Sequence, residues 1–242
     1  MTDTNKEGTK LSIIIPTLME KENLAILIPE ITTFISRHNL SHEIIVVDDC
    51  SNDGTLELIQ DLKNYQKIPL EFIERQGKKP NLGKAAIEGF KRAKGEILIL
   101  MDADGSHPVE SITSLTDPII EGLCDITVGS RYVSGGSTPD WPCFRRILSR
   151  IACLLASGIT STQDATSGFI AFRKSAVQIE NISTRSWKIV LDIIAGSSSR
   201  ILEIPITFRE RTRGKSKLKL KAALNYISHL IYLYKIKLTK NY

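Results

Sequence analysis

The stretch Ile97-Leu98-Ile99-Leu100-Met101-Asp102-Ala103-Asp104 is an uninterrupted apolar run that ends in two carboxylates spaced two residues apart. The run and the turn-forming Gly-Ser-His-Pro after it predict a buried strand whose carboxyl end opens on a ligand crevice of an α/β sheet. Side chains two apart on extended backbone point the same way, so Asp102 and Asp104 would repel unless a cation lies between them. Their hard oxygen atoms suit Mg²⁺ or Mn²⁺. The alternative is that both residues only begin a loop, with Asp104-Gly105 as its turn.

Similar apolar, β-branched runs recur along the first half of the chain, and segments with helical spacing separate them. This rhythm predicts an α/β fold, a mostly parallel sheet flanked by helices, with four strand–helix units in the first 130 residues. Asp53 or Thr55 is the expected cap of the second helix and Asn81 that of the third. The predicted strands span residues 11–15, 43–47, 70–73, 96–101 and 125–128, and the predicted helices span 23–35, 55–62, 82–93 and 109–120.

After Arg131 the pattern changes, because Gly135-Gly136 and two prolines predict a loop. An amphipathic helix with basic and apolar faces, a further strand pair, a buried helix and a basic amphipathic helix are expected to follow. Their ranges are 144–159 for the first helix, 168–172 and 201–208 for the strand pair, 187–195 for the buried helix and 215–238 for the last. The chain therefore divides into a flexible tail (1–10), one domain (11–218) and an amphipathic, membrane-proximal helix (219–242).

Size and composition limit the class of protein. The 242 residues suffice for one large domain, and the four cysteines form no Cys-x-x-Cys pair, which is typical of reduced thiols in the cytosol. Residues 1–10 lack the pattern of a secretory signal, and no apolar run reaches the roughly 18 residues of a spanning helix. The net charge is +5, but residues 200–242 hold eleven lysines and arginines against two acidic residues. Such a segment suits nucleic acid, anionic lipid or a phosphorylated substrate.

The residues at the end of the first predicted strand limit which phosphate-binding folds are possible. Residues 16–20, Pro-Thr-Leu-Met-Glu, follow it, and neither G-x-G-x-x-G nor G-x-x-x-x-G-K-[ST] occurs in the chain, which argues against dinucleotide-binding and P-loop folds. A cation on the two aspartates, helped by late arginines, would neutralise phosphate instead. The second predicted strand ends in Asp48-Asp49. We expect Asp49 to accept N–H groups of a base, while Asp48 and Asp53 brace the turn.

Eight segments in order resemble the dolichyl-phosphate mannosyltransferases (dolichol-phosphate mannose synthases), a family of inverting glycosyltransferases with the GT-A fold. The resemblance extends from Ser12 to Leu218. It implies a Rossmann-like GT-A domain and favours the metal interpretation of the Asp-x-Asp motif, because the context that the motif requires is present. The segments are SIIIPTLMEKENL (12–24), EIIVVDDCSNDGT (43–55), NLGKAAIEGF (81–90), MDADGSHP (101–108), VGSRYVSGG (128–136), WPCFRRILSR (141–150), DATSGFIAFRK (164–174) and EIPITFRERTRGKSKL (203–218).

The resemblance also implies roles for individual residues, with catalytic roles at Asp104, Arg131 and Arg211. Guanidinium groups bind phosphate oxygens bidentately and lysine adds a point charge, so cations suit the phosphate-binding positions. The implied nucleotide-sugar residues are Pro16, Leu18, Glu20, Val47, Asp49, Asp102, Ala103, Asp104, Arg211 and Lys217; the acceptor-phosphate residues are Arg131, Arg145 and Ser149; and the metal ligands are Asp102, Asp104 and Ser106.

Three positions depart from the family pattern. Leu18-Met19 stands where many members have Tyr-Asn, which removes an aromatic wall or a hydroxyl beside the base. Ser106 stands where some members have a glutamine metal ligand, so a water would complete the metal shell here. Asp192 stands where we expect a glutamate.

The implied reaction transfers mannose from GDP-mannose to a polyprenyl phosphate such as dolichyl phosphate, with Mg²⁺ or Mn²⁺ as cofactor. The attacking phosphate oxygen, with a second pKa of about 6, needs no general base, which fits a sequence without an obvious Ser/His/Asp arrangement. A UDP-sugar donor such as UDP-glucose remains an alternative. A basic nucleic-acid-binding protein is a distant alternative, disfavoured because the basic residues cluster beside phosphate-site motifs and aromatic residues make up only 6% of the chain.

A lipid acceptor implies a membrane surface as a partner. The last predicted helix carries an apolar stripe flanked by lysines, which suits the surface of the cytosolic leaflet, and we expect a cytoplasmic protein that is peripheral on the cytosolic face of a membrane. The alternative is that the stripe packs on the domain or on a membrane helix of a small partner subunit, from which some family members borrow their anchors. The stripe consists of Leu220, Leu224, Ile227, Ile231 and Tyr234.

Overall fold

Seven strands form one sheet in the part of the chain that the computed structural model describes, residues 11–77, 79–183, 188–210 and 220–240. Each of the seven strands expected from the sequence is present, with ends shifted by a few residues. The expected tail at 1–10 lies outside the described residues. The strands are β1 (Leu11–Thr17), β2 (His42–Asp48), β3 (Leu70–Glu74), β4 (Ile97–Leu100), β5 (Ile126–Ser130), β6 (Ile170–Arg173) and β7 (Ile201–Pro205).

Helices connect the strands, and the four strand–helix units expected at the start of the chain are confirmed. Asn81 caps its helix as expected, since its side chain accepts a hydrogen bond from the Lys84 N–H at 2.8 Å. The cap expected at Asp53 or Thr55 is instead Gly54, which has a left-handed φ of +84°. The helices are α1 (Lys21–Arg37), α2 (Thr55–Tyr65), α3 (Leu82–Arg92), α4 (Ser111–Ile120), α5 (Cys143–Ala156), α6 (Ile189–Gly196) and α7 (Leu220–Lys240).

The strand order is β3-β2-β1-β4-β6-β5-β7, and β6 runs antiparallel to both of its neighbours, whereas the other pairs are parallel. The two strands expected at residues 168–172 and 201–208 are both present, but they are not adjacent, because β5 lies between β6 and β7. Ile170, at the amino end of β6, is opposite Leu100 of β4 and Val128 of β5. The segment before β6 therefore reaches the sheet edge at which β4 and β5 end.

Alternating side chains of the sheet fill two cores. Ile13 and Ile15 belong to the core covered by α1, α2 and α4, while Ile14 belongs to the core covered by α3, α6 and α7. Gly89 allows α3 to lie close to β1, since a Cβ atom there would come within 2.5 Å of Ile14 Cγ2. Both faces of the central strands are thus buried, as parallel sheets require.

The C-terminal helix packs on the domain mainly through residues outside the stripe named from the sequence, although Tyr234 of the stripe also packs against the second core. Tyr226, Leu230 and Leu233 join the second core, whereas Leu224, Ile227 and Ile231 of the stripe are exposed. The Tyr226 hydroxyl donates to the Ala152 carbonyl of α5 at 2.8 Å. Among the described residues, no helix combines the length and the apolar character that crossing a membrane requires.

Candidate active site

The loops after β1 and β2 are tied together at the edge where these strands end. The Met19 N–H donates to Ser51 Oγ at 2.7 Å, and the Lys21 N–H donates to Asp53 Oδ2 at 3.0 Å. Met19 and Cys50 both adopt left-handed φ angles, of 59° and 61°. Non-glycine residues with such angles concentrate at functional sites, because the surrounding structure must hold them there.

The two aspartates at the end of β2 have different surroundings. Asp48 braces the turn as expected, since its carboxylate accepts from the Ser51 N–H at 2.6 Å and from the Ser51 hydroxyl. Asp49 forms an ion pair with the fully buried Arg75 and accepts from the Asn81 N–H at 2.6 Å. Each carboxylate oxygen has a second lone pair, so Asp49 as the acceptor of base N–H groups stays a prediction.

The other residues predicted around the nucleoside differ in exposure. Leu18 is exposed, and the carboxylate of half-buried Glu20 accepts from the Asn23 amide. Pro16 is buried in β1, opposite Val47 of β2. Val47 is completely buried and its side chain faces Gly89 of α3, and its role in the nucleoside pocket stays a prediction.

The acidic pair lies just beyond β4. That strand ends at Leu100, and a turn that includes Ala103, Asp104 and Gly105 follows, so the expectation that strand alternation aligns Asp102 and Asp104 is wrong. The turn keeps both near the edge of the sheet instead: the Met101 N–H still donates to the Ile14 carbonyl at 3.2 Å, and Ala103 is buried in the first core. Asp104 is buried, and its Oδ1 accepts from the Ser106 N–H at 3.1 Å.

This donor set fits a hard divalent cation. Asp102 and Asp104 supply carboxylate oxygens, and the buried Ser106 hydroxyl has no hydrogen-bond partner in the described part of the chain. Within the same ranges, no three His, Cys, Asp or Glu side chains form a candidate metal cluster. A cation held here would therefore complete its shell with waters and phosphate oxygens, as Mg²⁺ readily does.

A buried ionic cluster lies next to the acidic pair. Arg131 follows β5, and its guanidinium donates to Asp164 Oδ2 at 2.7 Å, to Asp164 Oδ1 at 2.6 Å and to the Thr166 hydroxyl at 2.7 Å. Burial alone would raise the pKa of Asp164, but contacts with Arg131 outweigh it and hold that pKa below its ordinary value. These bonds use Nε and Nη2 of Arg131, and Nη1 makes no hydrogen bond to the described residues.

The structure brings the three predicted acceptor-phosphate residues together. Ser149 Oγ lies 3.3 Å from the Thr166 hydroxyl that also binds Arg131. The Arg145 guanidinium stacks 3.9 Å from the Trp141 ring, and the same ring faces Arg131 at 5.0 Å. These cations converge on one face of α5, although their ligand stays a prediction.

Lys188 is a site residue that the sequence analysis missed. Its side chain is partly buried at the start of α6, and Nζ donates to the Thr166 carbonyl. Burial, and to a lesser extent Arg131, lower the pKa of Lys188 to about 8, although Asp164 and Asp102 act in the opposite direction. Lys188 therefore lies within electrostatic reach of both the acidic pair and the arginine cluster.

Other predicted residues lie elsewhere. Arg211 and Lys217 fall outside the described residues. Asp192 is buried in α6, and its carboxylate pairs with His229 of α7 at 3.2 Å. Burial raises the pKa of Asp192, and His229 partly opposes the shift.

The fold and the site agree with the family of this chain. The family model described as Glycosyl transferase family 2 matches residues 12–179. The dolichol-phosphate mannosyltransferase of Saccharomyces cerevisiae is 34% identical over 241 residues, which cover 95% of this chain and 89% of that protein. The protein of the same name from Pyrococcus furiosus is 41% identical over 231 residues, covering 93% of this chain. The chain spans 64% of the length of the Pyrococcus protein.

Solved structures support the fold. Glucosyl-3-phosphoglycerate synthase from Mycobacterium tuberculosis, in complex with Mn²⁺, UDP and glucosyl-3-phosphoglycerate, superposes with a TM-score of 0.67 at 18% identity. The match covers 94% of this chain and 81% of that one. The sheet and its flanking helices thus have the GT-A architecture. The chain belongs to glycosyl transferase family 2, in the group that contains the dolichol-phosphate mannosyltransferases.

Proposed function

We propose that this chain transfers mannose from GDP-mannose to a polyprenyl phosphate such as dolichyl phosphate, with inversion at the sugar carbon. The observation that carries the proposal is the adjacency of two sites for anions at one sheet edge. Asp102 and Asp104 suit a metal-bound diphosphate, and Arg131, Ser149 and Lys188 surround Thr166 next to them. The names of the relatives support the choice of sugar and acceptor.

The donor half of the site depends on the acidic pair. Asp102 and Asp104, with Ser106 directly or through water, would hold Mg²⁺ or Mn²⁺. When bound, such a cation neutralises the charge that develops on a departing diphosphate. Pro16, Leu18, Glu20, Val47 and Asp49 are the described residues proposed for the nucleoside.

The acceptor half needs positive charge rather than a base. A phosphate monoester is largely deprotonated at neutral pH, because its second pKa is about 6. Arg131 Nη1, Arg145 and Lys188 would hold this anion close to the sugar carbon and cancel its repulsion from the donor diphosphate. A single displacement then forms the bond from phosphate oxygen to carbon and breaks the bond from carbon to the diphosphate, which inverts the anomeric centre.

An exposed apolar surface lies beside the proposed acceptor site. One face of α5 exposes six large apolar side chains, while Arg145 and Ser149 on the same helix belong to the proposed acceptor site. The neighbouring Arg146 and Arg150 supply charge that attracts anionic lipid. We therefore place the chain on the cytosolic face of a membrane with α5 as its main contact and α7 beside it. The apolar residues of α5 are Phe144, Ile147, Leu148, Ile151, Leu154 and Leu155.

The reaction is tested by incubating the purified chain with dolichyl phosphate and either labelled GDP-mannose or labelled UDP-glucose, with Mg²⁺, Mn²⁺ or a chelator. We expect an organic-extractable, acid-labile mannolipid from GDP-mannose that depends on the cation. Asp104→Asn should abolish its formation while the fold is retained, and the exposed Asp61→Asn serves as a matched control. Equal product from Asp104→Asn would contradict the role of the acidic pair, and product from UDP-glucose alone would replace the donor.

A further inference from the structure

The backbone of Asp102 is hydrogen-bonded to His107, a histidine that has no role in the proposed reaction. Beyond the end of β4, the Asp102 N–H donates to the ring nitrogen Nδ1 of His107 at 3.0 Å. An Nδ1 atom that accepts a hydrogen bond places the proton of the neutral ring on Nε2. That nitrogen lies 3.8 Å from Asp102 Oδ2, so one imidazole faces both the backbone and the carboxylate of the same aspartate.

The orientation of this ring is itself fixed by packing. His107 is buried, and it stacks on Phe169 with ring centroids 4.8 Å apart and planes tilted by only 8°. Phe208, which follows β7, meets the same ring edge-on at 5.5 Å. Burial lowers the pKa of His107, against the attraction of Asp102 and Asp104.

Gly168 closes the third side of this arrangement. A Cβ atom at position 168 would lie 3.2 Å from Asp102 Oδ2 and 3.3 Å from His107 Cε1, closer than most real contacts of that kind. The carboxylate and the ring thus lie directly against the backbone that leads into β6. Because β6 is antiparallel to β4, this backbone reaches the acidic pair.

We propose that His107, seated between Phe169, Phe208 and Gly168, is a positioning residue that holds Asp102 in the conformation that binds the divalent cation. The inference rests on the proposed function, since it takes Asp102 as a metal ligand. Residues that orient ligands are worth about ten- to hundredfold in metal affinity. His107 contacts the proposed metal ligand Asp102 and is not itself proposed to contact the metal or the substrates.

The test is a titration of the full chain with Mn²⁺, with and without GDP, in which electron paramagnetic resonance counts the free ion. His107→Phe keeps an aromatic ring but removes both nitrogens, and we expect it to weaken Mn²⁺ binding about tenfold or more. His107→Asn keeps an acceptor near the position of Nδ1 and should recover part of the loss. The kcat of both variants should recover at saturating Mn²⁺, which a general packing defect would not produce. His38→Phe, at an exposed histidine that also contacts a phenylalanine, is the matched control and should bind Mn²⁺ normally.

Gly168→Ala gives an independent result if His107→Phe does not fold, because the added methyl presses on the Asp102 carboxylate. Weakened Mn²⁺ binding by this variant supports the proposal, and wild-type affinity in the folded His107 and Gly168 variants overturns it. Wild-type affinity in these variants overturns only the positioning role of His107 when the wild-type chain binds Mn²⁺ and Asp104→Asn does not, because the metal site itself is then intact. If the folded wild-type chain binds no Mn²⁺, the metal site of the proposed function fails as well.

Discussion

Arg131 and Asp164 are joined by three hydrogen bonds, one from the backbone N–H of Arg131 at 3.0 Å and two from its guanidinium at 2.7 and 2.6 Å. Both side chains are buried, and the two residues lie 33 positions apart in sequence, on either side of α5. This pair fixes the end of β5 to the segment before β6. The proposed acceptor site is therefore built on an ion pair that also holds the fold together.

Loss of one partner of this pair should be costly. Asp164→Asn leaves the Arg131 charge buried without its counter-ion, and we expect the free energy of unfolding to fall by about 3–5 kcal/mol. Asp125→Asn breaks the more exposed pair with Arg200 and should cost under about 1 kcal/mol. Urea unfolding followed by circular dichroism measures both. Equal losses in the two variants would show that burial of the Arg131–Asp164 pair contributes nothing.

The same pair predicts sensitivity to acid. The pKa of Asp164 is lower in the folded chain than the ordinary value of about 3.9, so its stabilising effect is complete above that value. The effect is lost as the pH falls from there through the lower pKa of the folded state. Between about pH 5 and pH 2 the stability of the wild-type chain should therefore fall more steeply than that of Asp164→Asn. Thermal unfolding at a series of pH values checks this, and parallel curves would contradict it.

The apolar runs predicted the strands, because a buried strand must supply consecutive or alternating apolar residues whatever its neighbours are. They did not predict the direction of β6, since Ile170 and Phe172 would alternate in the same way in either direction. That direction brings Asp164, Thr166 and Gly168 to the acidic pair. Their roles were therefore missed, although all three lie in a segment singled out by resemblance.

Long-range contacts explain the remaining differences. Lys188 meets Thr166 across 22 residues, and nothing near Lys188 in the sequence indicates a buried amine. Val47 was assigned to the pocket by position, but its place in β2 turns the side chain toward α3. The apolar stripe that includes Ile227 correctly predicted a C-terminal helix. Helical periodicity does not show which apolar side chains of such a helix pack on the domain.

Lys188 predicts an alkaline limit on activity. Its pKa of about 8 means that the ammonium loses its proton, and with it the positive charge next to the acceptor anion, as the pH rises through that value. We expect kcat/KM to fall above about pH 8, since kcat/KM reports the ionisation of the free enzyme. Lys188→Arg stays charged and should shift this limb upward, and Lys188→Met should be poorly active at every pH.

Lys174 is the matched control for this pH profile. Its Nζ also donates to a backbone carbonyl, that of Ala93 at 2.6 Å, but it lies at the opposite end of β6 from the acidic pair. Lys174→Arg should leave the profile unchanged. An identical alkaline limb in the wild-type chain and in Lys188→Arg would assign it to another group.

The exposed face of α5 predicts how the chain meets a lipid surface. Phe144 and Leu154 are 75% and 71% exposed, so replacing them with glutamate removes no packing in the free protein. Each side chain that enters the bilayer interface contributes about 1.5–3 kcal/mol, so Phe144→Glu with Leu154→Glu should lower binding to liposomes with anionic lipid by well over tenfold. Flotation with such liposomes measures the bound fraction, and higher salt should reduce it because Arg146 and Arg150 contribute charge.

Two further variants separate α5 from the rest of the surface. Ile26→Glu places a charge at an exposed apolar position of α1 and should float like the wild-type chain. Ile231→Glu alters the exposed stripe of α7 and should have a smaller effect than the α5 double variant, since α5 also carries the proposed acceptor residues. If Ile231→Glu abolishes flotation while the α5 variant floats normally, the terminal helix is the membrane contact. Because Arg145 and Ser149 lie on α5, the α5 variant should also raise the KM for dolichyl phosphate in liposomes more than the KM for a short-chain soluble analogue.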